Sequence, residues 1–102
     1  MKPSKKEALM KTLLYEEATV IHVDEDWTDI VATVDVEKGL TDAKKLEVTF
    51  MKTNSITGAW WNNEGVNKWF GEATRRSTSV GDMVVLENGK KYKVEACGWS
   101  EV

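Results

Sequence analysis

The feature that most constrains the fold is the dipeptide Asn88-Gly89, which lies between two short stretches of alternating apolar and polar residues. An Asn-Gly pair in this setting favours a two-residue type I′ hairpin turn, because both central residues of that turn have positive φ. A two-residue loop predicts these cross-strand pairs: Glu87 with Lys90, Val85 with Tyr92, and Met83 with Val94. The sequence therefore predicts a C-terminal antiparallel hairpin, with its apolar face formed by Met83, Val85, Tyr92 and Val94.

A second hairpin is predicted nearer the N-terminus. Residues 18–23 form a short run rich in β-branched side chains, and residues 30–37 alternate with the period of a half-buried strand. The polar residues 24–28 between them are typical of a turn, and Gly39 ends the second strand. Two hairpins in so short a chain predict a mostly antiparallel sheet.

Two helices are predicted to accompany this sheet. Ser4-Lys5-Lys6-Glu7 has the spacing of a capping box, and the apolar residues after it recur at helical intervals, which predicts a helix over residues 4–15. A second helix is predicted to begin at Thr41 or Asp42, either of which can serve as its N-cap. Residues 46–53 would also suit a strand, but the three- and four-residue spacing of their apolar side chains favours a helix.

The composition fits one small globular domain. The chain has 102 residues, and its 41% hydrophobic and 30% charged residues exclude a disordered or collagen-like protein. Residues 55–76 show no clear period and contain three of the five tryptophans, so a long structured loop is predicted there. We therefore predict a single α+β domain over residues 1–102, in which an N-terminal helix precedes a mostly antiparallel sheet of two hairpins, with the second helix and a Trp-rich loop between them.

The scarcity of histidine and cysteine limits the available chemistry. The single histidine, His22, lies in the middle of a predicted strand, where a structural role is favoured over catalysis. The single cysteine, Cys97, excludes a disulfide framework, and its small neighbours predict a buried side chain. Residues 24–29 begin like a calcium-binding loop but lack the glycine and the final glutamate that such a loop requires. We predict a non-enzymatic protein with no catalytic residues, no metal site and no cofactor.

The location is predicted from what the sequence lacks. No stretch has the length and apolar character of a membrane span, and the basic residues at the N-terminus lead into no signal-peptide core. These features predict a cytoplasmic protein without membrane contact. The oligomeric state is left open by the sequence.

Acidic residues are concentrated in the first half of the chain. The segment from Glu16 to Glu37 contains eight carboxylates and no lysine or arginine. Such a segment repels phosphate backbones, so nucleic acid is disfavoured as its partner. The segment is interpreted either as a solvated acidic face or as a docking face for a basic partner. The candidate acidic docking face consists of Asp24, Glu25, Asp26, Trp27 and Asp29.

Aromatic and arginine residues indicate a second candidate surface. Adjacent tryptophans on a glycine-bounded loop point in different directions, and Trp and Arg are frequent in binding hot spots. The predicted interaction surface comprises Trp60, Trp61, Asn62, Asn63, Glu64, Arg75, Arg76, Ser77, Ser79 and Asp82. One alternative is single-stranded nucleic-acid binding by Trp stacking beside Arg75, Arg76, Lys90, Lys91 and Lys93. Another is a small anion or nucleotide site at Arg75–Asp82.

The C-terminal half also contains a series of short motifs: Arg76-Ser77-Thr78-Ser79-Val80-Gly81-Asp82, with Trp60-Trp61 and Glu64-Gly65-Val66 before it and Tyr92-x-Val94 after it. Through these motifs residues 45–102 resemble the YodL-like group of small phage, plasmid and bacterial domains. The chain departs from that pattern at Ala96-Cys97-Gly98-Trp99, and residues 1–44 carry no recognised resemblance. The resemblance implies a phage or mobile-element protein and no particular enzymatic activity. We therefore predict a protein–protein interaction module whose partner is a host or phage protein.

Overall fold

One antiparallel sheet organises the chain, as the two predicted hairpins require. The computed structural model describes residues 5–55, 58–71 and 74–102. Its elements, in chain order, are α1 (Lys5–Leu14), β1 (Tyr15–Val23), β2 (Thr28–Glu37), α2 (Asp42–Lys52), a 3₁₀ turn (Trp60–Asn62), β3 (Val66–Lys68), β4 (Met83–Val85), β5 (Lys91–Val94) and β6 (Trp99–Glu101). The strand order is β3-β2-β1-β4-β5-β6, and all neighbouring strands are antiparallel. The predicted α+β fold class is confirmed.

The central hairpin pairs β1 with β2 and contains a β-bulge. Val20 lies opposite Ala32, and both side chains are fully buried. The register then shifts, so that Ile21 lies opposite Ile30 and Val31 is an extra residue on β2. Val31 is buried and Ile30 is exposed, the reverse of what strict alternation predicts. The bulge thus changes which side chains of β2 near the turn of this hairpin reach the core.

The C-terminal hairpin forms, but its register differs from the prediction by one residue. Val84 lies opposite Tyr92, whereas a two-residue loop would place Val85 there. A shift of one residue exchanges the two faces of a strand. Val84 and Leu86 are accordingly buried, while Met83 and Val85 are only half-buried. The β4 half of the predicted apolar face, Met83 and Val85, is therefore wrong, whereas its β5 half is confirmed, since Val94 is buried and Tyr92 packs against the core.

The turn itself explains the register. The N–H of Leu86 donates to the carbonyl of Lys90 over 3.0 Å, which leaves the three residues 87–89 in the loop. Gly89 has a φ of +88°, but no non-glycine residue of the described chain has a positive φ, so Asn88 does not adopt the type I′ conformation. Three-residue hairpin loops place a left-handed glycine after a type I turn, and Gly89 fills that position.

The second helix covers one face of the sheet. The hydroxyl of Thr41 accepts a hydrogen bond from the backbone N–H of Lys44 over 3.2 Å, so Thr41 is the N-cap and the helical interpretation of this region is confirmed. Leu46 and Thr49 are buried on its inner face, and Thr53 is buried at its C-cap. The core lies between this face and the sheet and consists of Ala18, Val20, Val31, Ala32, Val34, Val36, Leu46, Trp60, Val84 and Leu86.

Two short edge strands are not predicted from the sequence. In the predicted Trp-rich loop, Val66–Lys68 forms β3 and pairs with β2, and at the C-terminus Trp99–Glu101 forms β6 and pairs with β5. A three-residue strand is too short to show a period in the sequence, so its existence depends on the neighbour that supplies its hydrogen bonds. Cys97 lies in the turn before β6 and is exposed, so the prediction of a buried thiol is wrong.

The N-terminal helix makes few contacts with the rest of the domain. Ser4, which begins the predicted capping box, lies outside the described residues, and the helix runs from Lys5 to Leu14. Four large apolar side chains of α1 are between 48% and 60% exposed: Leu9, Met10, Leu13 and Leu14. The predicted apolar stripe is thus present on the helix, but it does not face the core. Among the described residues, neither helix is long and apolar enough to cross a membrane.

Candidate functional site

The carboxylate of Asp82 connects the end of β1 to the segment that precedes β4. Asp82 is fully buried and accepts backbone hydrogen bonds from Val23 over 2.9 Å and from Ser79 over 2.8 Å. The guanidinium of Arg76 binds both of its oxygens, at 2.7 and 2.9 Å. We call this arrangement of Asp82, Arg76 and the two backbone N–H groups the Asp82 clamp. A bidentate, charge-assisted pair of this kind is strong and geometrically specific.

Arg76 uses its whole guanidinium within the protein. Besides Asp82, it donates to Asp24 over 3.3 Å, to the carbonyl of Ser77 over 3.0 Å and to the hydroxyl of Ser79 over 3.3 Å. A longer hydrogen bond of 3.4 Å reaches the carbonyl of Val23. Each guanidinium nitrogen therefore already donates to the protein. Arg76 thus leaves no free nitrogen for the anion site that the composition of the segment from Arg75 to Asp82 suggests.

The remaining polar residues of this motif also bind the protein itself. The hydroxyl of Ser77 accepts from the backbone N–H of Ser55 over 2.9 Å, and the N–H of Thr78 donates to the carbonyl of Thr53 over 3.0 Å. Gly81 has a φ of +96°, which favours glycine at that position. These contacts connect the motif to the end of α2 and give its residues a role in holding the fold together.

His22 lies beneath this motif in a fully buried position. Its Nε2 is 2.9 Å from the hydroxyl of Thr78 and 3.8 Å from a carboxylate oxygen of Asp82. A nucleophile–base–acid relay places the nucleophile and the acid on opposite ring nitrogens. Here both partners lie on the same nitrogen, and Thr78 is only 2% exposed. This geometry forms a buried structural contact and not a catalytic triad.

Burial lowers the pKa of His22, an effect that the nearby carboxylate of Asp82 opposes without overcoming it. For Asp82, burial alone would raise the pKa, but the hydrogen bonds from Arg76 and from the backbone of Val23 and Ser79 outweigh it, so the pKa lies below its ordinary value. The same pairing raises the pKa of Arg76. The folded protein therefore favours a neutral His22 beside an ion pair of Asp82 and Arg76.

Acid is expected to destabilise the protein through His22 first. Because its pKa is lower in the folded state than in the unfolded chain, its contribution is complete above about pH 6.5 and is lost as the pH falls toward the folded-state pKa. The free energy of unfolding, measured by urea denaturation between pH 7.5 and 5 (about one unit above and about one and a half units below that value), should decrease as the pH falls. His22→Gln should remove this decrease, since the chain has no other histidine. An identical slope in both proteins would contradict the assignment.

Trp60 anchors the Trp-rich segment from inside the core. Its side chain is fully buried, and its indole N–H donates to the carbonyls of Arg75 over 3.2 Å and Arg76 over 2.9 Å. The ring lies 5.6 Å from that of Trp61 and 5.7 Å from that of Phe70, in the tilted and edge-on arrangements that aromatic pairs prefer. Trp60 therefore holds the backbone from which both arginine side chains extend.

Arg75 lies between two aromatic rings. Its guanidinium carbon is 5.4 Å from the ring centre of Trp27 and 5.5 Å from that of Phe70, within the range of cation–π attraction. It also lies 4.0 Å from a carboxylate oxygen of Asp29. Trp27 is 41% exposed, so part of its indole remains accessible to solvent. The arginine thus orients the tryptophan of the acidic turn, by which we mean residues 24–29.

A depression of about 380 Å³ opens between the acidic turn and the arginine segment. It is lined by His22, Asp24, Glu25, Asp26, Trp27, Thr74, Arg75 and Arg76. Three buried polar atoms of these residues have no hydrogen-bond partner among the described residues: Nδ1 of His22, Oδ2 of Asp24 and Nε of Arg75. Buried polar groups normally have hydrogen-bond partners, so the depression is a place where three such groups lack one among the described residues. We call this place the acidic depression.

The predicted interaction surface is divided by the fold. Trp60 and Asp82 are fully buried, so their assignment to a surface is wrong. Trp61 and Ser77 are half-buried, and Ser79 is exposed. Asn62, Asn63 and Glu64 are exposed, but the last two contact Lys52 at the end of α2, through the amide of Asn63 and the carbonyl of Glu64.

The two candidate surfaces meet through the arginines. Arg75 and Arg76 leave the predicted Trp-rich surface and contact the acidic turn, at Trp27 and Asp24 respectively. Sequence reasoning missed this contact, because about fifty positions separate the partners and no local period reports it. The one signal in the sequence was the excess of carboxylates in the turn, because such negative charge is stabilised when cations lie beside it in the fold.

Within the described ranges, no group of three or more His, Cys, Asp or Glu side chains is arranged to hold a metal ion. Comparison with protein-family models, with curated proteins and with solved structures finds no match to this chain.

Proposed function

We propose that this protein is a non-enzymatic protein–protein interaction module that binds a lysine- or arginine-rich segment of its partner at the acidic depression. The observation that carries the proposal is the unpartnered Oδ2 of Asp24, buried beside the exposed carboxylates of Glu25 and Asp26. Buried carboxylate oxygens need donors, and a cationic side chain supplies both a donor and a compensating charge.

The charge around the depression favours a cation over an anion. Arg76 is already paired with Asp82 and Asp24, and Arg75 lies between two aromatic rings close to Asp29. Glu25 and Asp26 take part in no ion pair among the described residues, so negative charge remains at the rim. This surplus supports a positively charged ligand.

A second unpartnered atom, Nε of Arg75, fits the same ligand. A peptide offers backbone carbonyls as well as basic side chains, and a carbonyl beside the bound cation can accept from Nε of Arg75. The open part of Trp27 provides an apolar and π surface for the aliphatic stem or the charged end of the basic residue. A peptide segment can thus donate to Oδ2 of Asp24 and also accept from Nε of Arg75, whereas a simple ion can do only one of these.

The nucleic-acid alternative receives less support from the same contacts. Stacking needs exposed aromatic faces near free cations, but Trp60 is buried and Trp27 lies beside the carboxylates of the acidic turn. A phosphate backbone at this depression would lie beside the carboxylates of Glu25 and Asp26, which take part in no ion pair among the described residues. A peptide with basic side chains avoids this repulsion.

The resemblance of residues 45–102 to the YodL-like group adds the biological setting of the proposal. In that setting the protein belongs to a phage or mobile element and acts in the cytoplasm, where the basic segment is provided by a host or phage protein. The most specific motif of the resemblance runs from Arg76 to Asp82, and its side chains bind within the protein. Apart from Arg75, the contact residues of this proposal lie in residues 24–29, where the resemblance does not extend.

Binding is expected to depend on the two rim carboxylates. In a fluorescence-anisotropy titration with a labelled arginine- and lysine-rich peptide, Glu25→Gln/Asp26→Asn should weaken binding about 5- to 30-fold, because each exposed contact contributes about 0.5–1 kcal/mol. Binding should also weaken as salt is added, since exposed charges are screened. The matched control is Glu47→Gln/Glu101→Gln, which removes two exposed carboxylates elsewhere.

The controls separate this proposal from its alternatives. The Glu47/Glu101 variant should bind the peptide like the wild type, and a glutamate-rich peptide and a single-stranded oligonucleotide should not bind. Equal losses in both double variants would indicate a general charge effect and overturn the site. Tighter binding of the oligonucleotide than of the basic peptide would overturn the function.

A further inference from the structure

One atom of the acidic depression has no role in the proposed function, and that atom is Nδ1 of His22. The imidazole lines the depression and is fully buried, and Nδ1 has no hydrogen-bond partner among the described residues. The other ring nitrogen, Nε2, is 2.9 Å from the hydroxyl of Thr78. Buried ring nitrogens normally have a partner, so Nδ1 is the atom of His22 that remains for a ligand in the depression.

The surroundings of Nε2 determine which ring nitrogen carries the proton. A carboxylate oxygen of Asp82 is 3.8 Å from Nε2, and among the described residues no carboxylate oxygen lies as close to Nδ1. Negative charge stabilises a proton on the nearer nitrogen, so the neutral ring carries its proton on Nε2, which donates to Thr78. In this tautomer Nδ1 is a hydrogen-bond acceptor.

The depression therefore contains two acceptors that belong to different side chains. One is Nδ1 of His22, and the other is Oδ2 of Asp24, whose Oδ1 already binds Arg76 over 3.3 Å. His22 and Asp24 are two positions apart at the end of β1, and alternate residues of an extended chain face the same side. A ligand that satisfies both acceptors must present at least two N–H donors side by side.

Arginine and lysine differ in how they present their donors. A guanidinium has five N–H donors spread over a planar fork, whereas an ammonium has three donors on a single nitrogen. The guanidinium is also less strongly hydrated, so its transfer into the depression costs less free energy. The exposed part of Trp27, which lines the same depression, adds a face on which a planar guanidinium stacks. Each of these differences favours arginine.

The charge at the depression does not oppose an incoming arginine, although two arginines of the chain are nearby. Arg76 is shared by two carboxylates, those of Asp24 and Asp82. Arg75 has a carboxylate oxygen of Asp29 at 4.0 Å. The two arginines thus face three carboxylates, even before the rim residues are counted. The net charge of these five side chains is negative, so it attracts a further cation.

We propose that the acidic depression recognises an arginine of the partner segment in preference to a lysine, and that His22 determines this specificity. The guanidinium donates to Oδ2 of Asp24 and to Nδ1 of His22, and its plane lies against Trp27. This inference rests on the proposed function, because it concerns the same site and the same basic ligand.

Fluorescence-anisotropy titrations with three labelled peptides of equal length and charge test the preference. The arginine-rich peptide should bind about 10-fold more tightly than the lysine-rich one, as one further hydrogen bond to a charged group provides. A peptide with asymmetric dimethylarginine in place of arginine keeps the charge but loses N–H donors, so it should bind more weakly than the arginine peptide.

The outcomes separate this inference from the proposed function. If the lysine or the dimethylarginine peptide bound as tightly as the arginine peptide, the preference for arginine would be overturned, while the proposed function would stand. If none of the three peptides bound, both would be overturned.

The ring nitrogens of His22 give a second readout in the wild-type protein, which has no other histidine. A long-range proton–nitrogen correlation spectrum near neutral pH should show Nδ1 without a proton in the free protein. Its signal should shift when the arginine peptide is added, and shift less with the lysine peptide at equal saturation. A proton on Nδ1 of the free protein, or an unchanged Nδ1 signal at saturating arginine peptide, would overturn the role of His22.

Discussion

Replacing Asp82 with alanine is expected to lower the free energy of unfolding by about 3–5 kcal/mol, the range for removing one partner of a buried ion pair. The loss should be near the lower end, because the side chain of its partner Arg76 is 37% exposed and can regain water. The substitution also leaves the N–H groups of Val23 and Ser79 without an acceptor at the junction of β1 and the motif. Domains of this size are stable by about 5–15 kcal/mol, so this single change should remove a large part of the total.

Urea denaturation at pH 7 measures this loss, with Asp26→Ala as the matched control. Asp26 is an exposed carboxylate of the acidic turn, and its removal should change the stability by less than about 0.5 kcal/mol. Asp82→Asn keeps the shape and one acceptor oxygen, so its loss of unfolding free energy should lie between those of Asp82→Ala and Asp26→Ala. If Asp82→Ala were no more destabilising than Asp26→Ala, the clamp would not hold the fold together.

Trp60→Ala is expected to lower the free energy of unfolding by at least as much, about 3–5 kcal/mol, which is the usual loss for a large aromatic residue in a core. The indole is fully buried, and its removal leaves a cavity next to His22, Trp61 and Phe70. It also removes the donor that binds the carbonyls of Arg75 and Arg76, so the backbone that carries the arginine side chains loses its anchor.

The matched control is Trp69→Ala, because Trp69 is in the same segment but 60% exposed. Urea denaturation should show little change in the free energy of unfolding for Trp69→Ala. Trp60→Phe keeps most of the packing and loses the indole hydrogen bonds, so it should cost less than Trp60→Ala. Similar losses at Trp60 and Trp69 would contradict the assignment of Trp60 to the core.

The helices and the long hairpin could be predicted because their signals are local. The N-cap at Thr41 and the spacing after it determine where α2 begins, and the alternation in residues 30–37 identifies β2. The register of the C-terminal hairpin could not be predicted from the Asn-Gly pair. Two turn types share that dipeptide, and the choice depends on whether Val84 or Val85 packs against the core.

The candidate site was predictable only in part. The carboxylates of the acidic turn were recognisable from composition, but the position of Arg75 between Trp27 and Phe70 is a tertiary contact that no short motif encodes. The motif from Arg76 to Asp82 drew attention through its hydroxyls and charges. In the fold those groups bind one another and their neighbours, which shows that a polar motif can serve the structure instead of a ligand.

The most direct test of the proposed binding surface is an amide chemical-shift titration of the labelled protein with the basic peptide. The largest shifts are expected in residues 24–29 and 74–76 and at the indole N–H of Trp27, which together surround the acidic depression. The Glu25→Gln/Asp26→Asn variant should show the same shifts only at higher peptide concentrations. Shifts concentrated at Asn62–Glu64 or spread evenly over the surface, or no shifts at saturating peptide, would contradict the acidic depression as the partner-binding site.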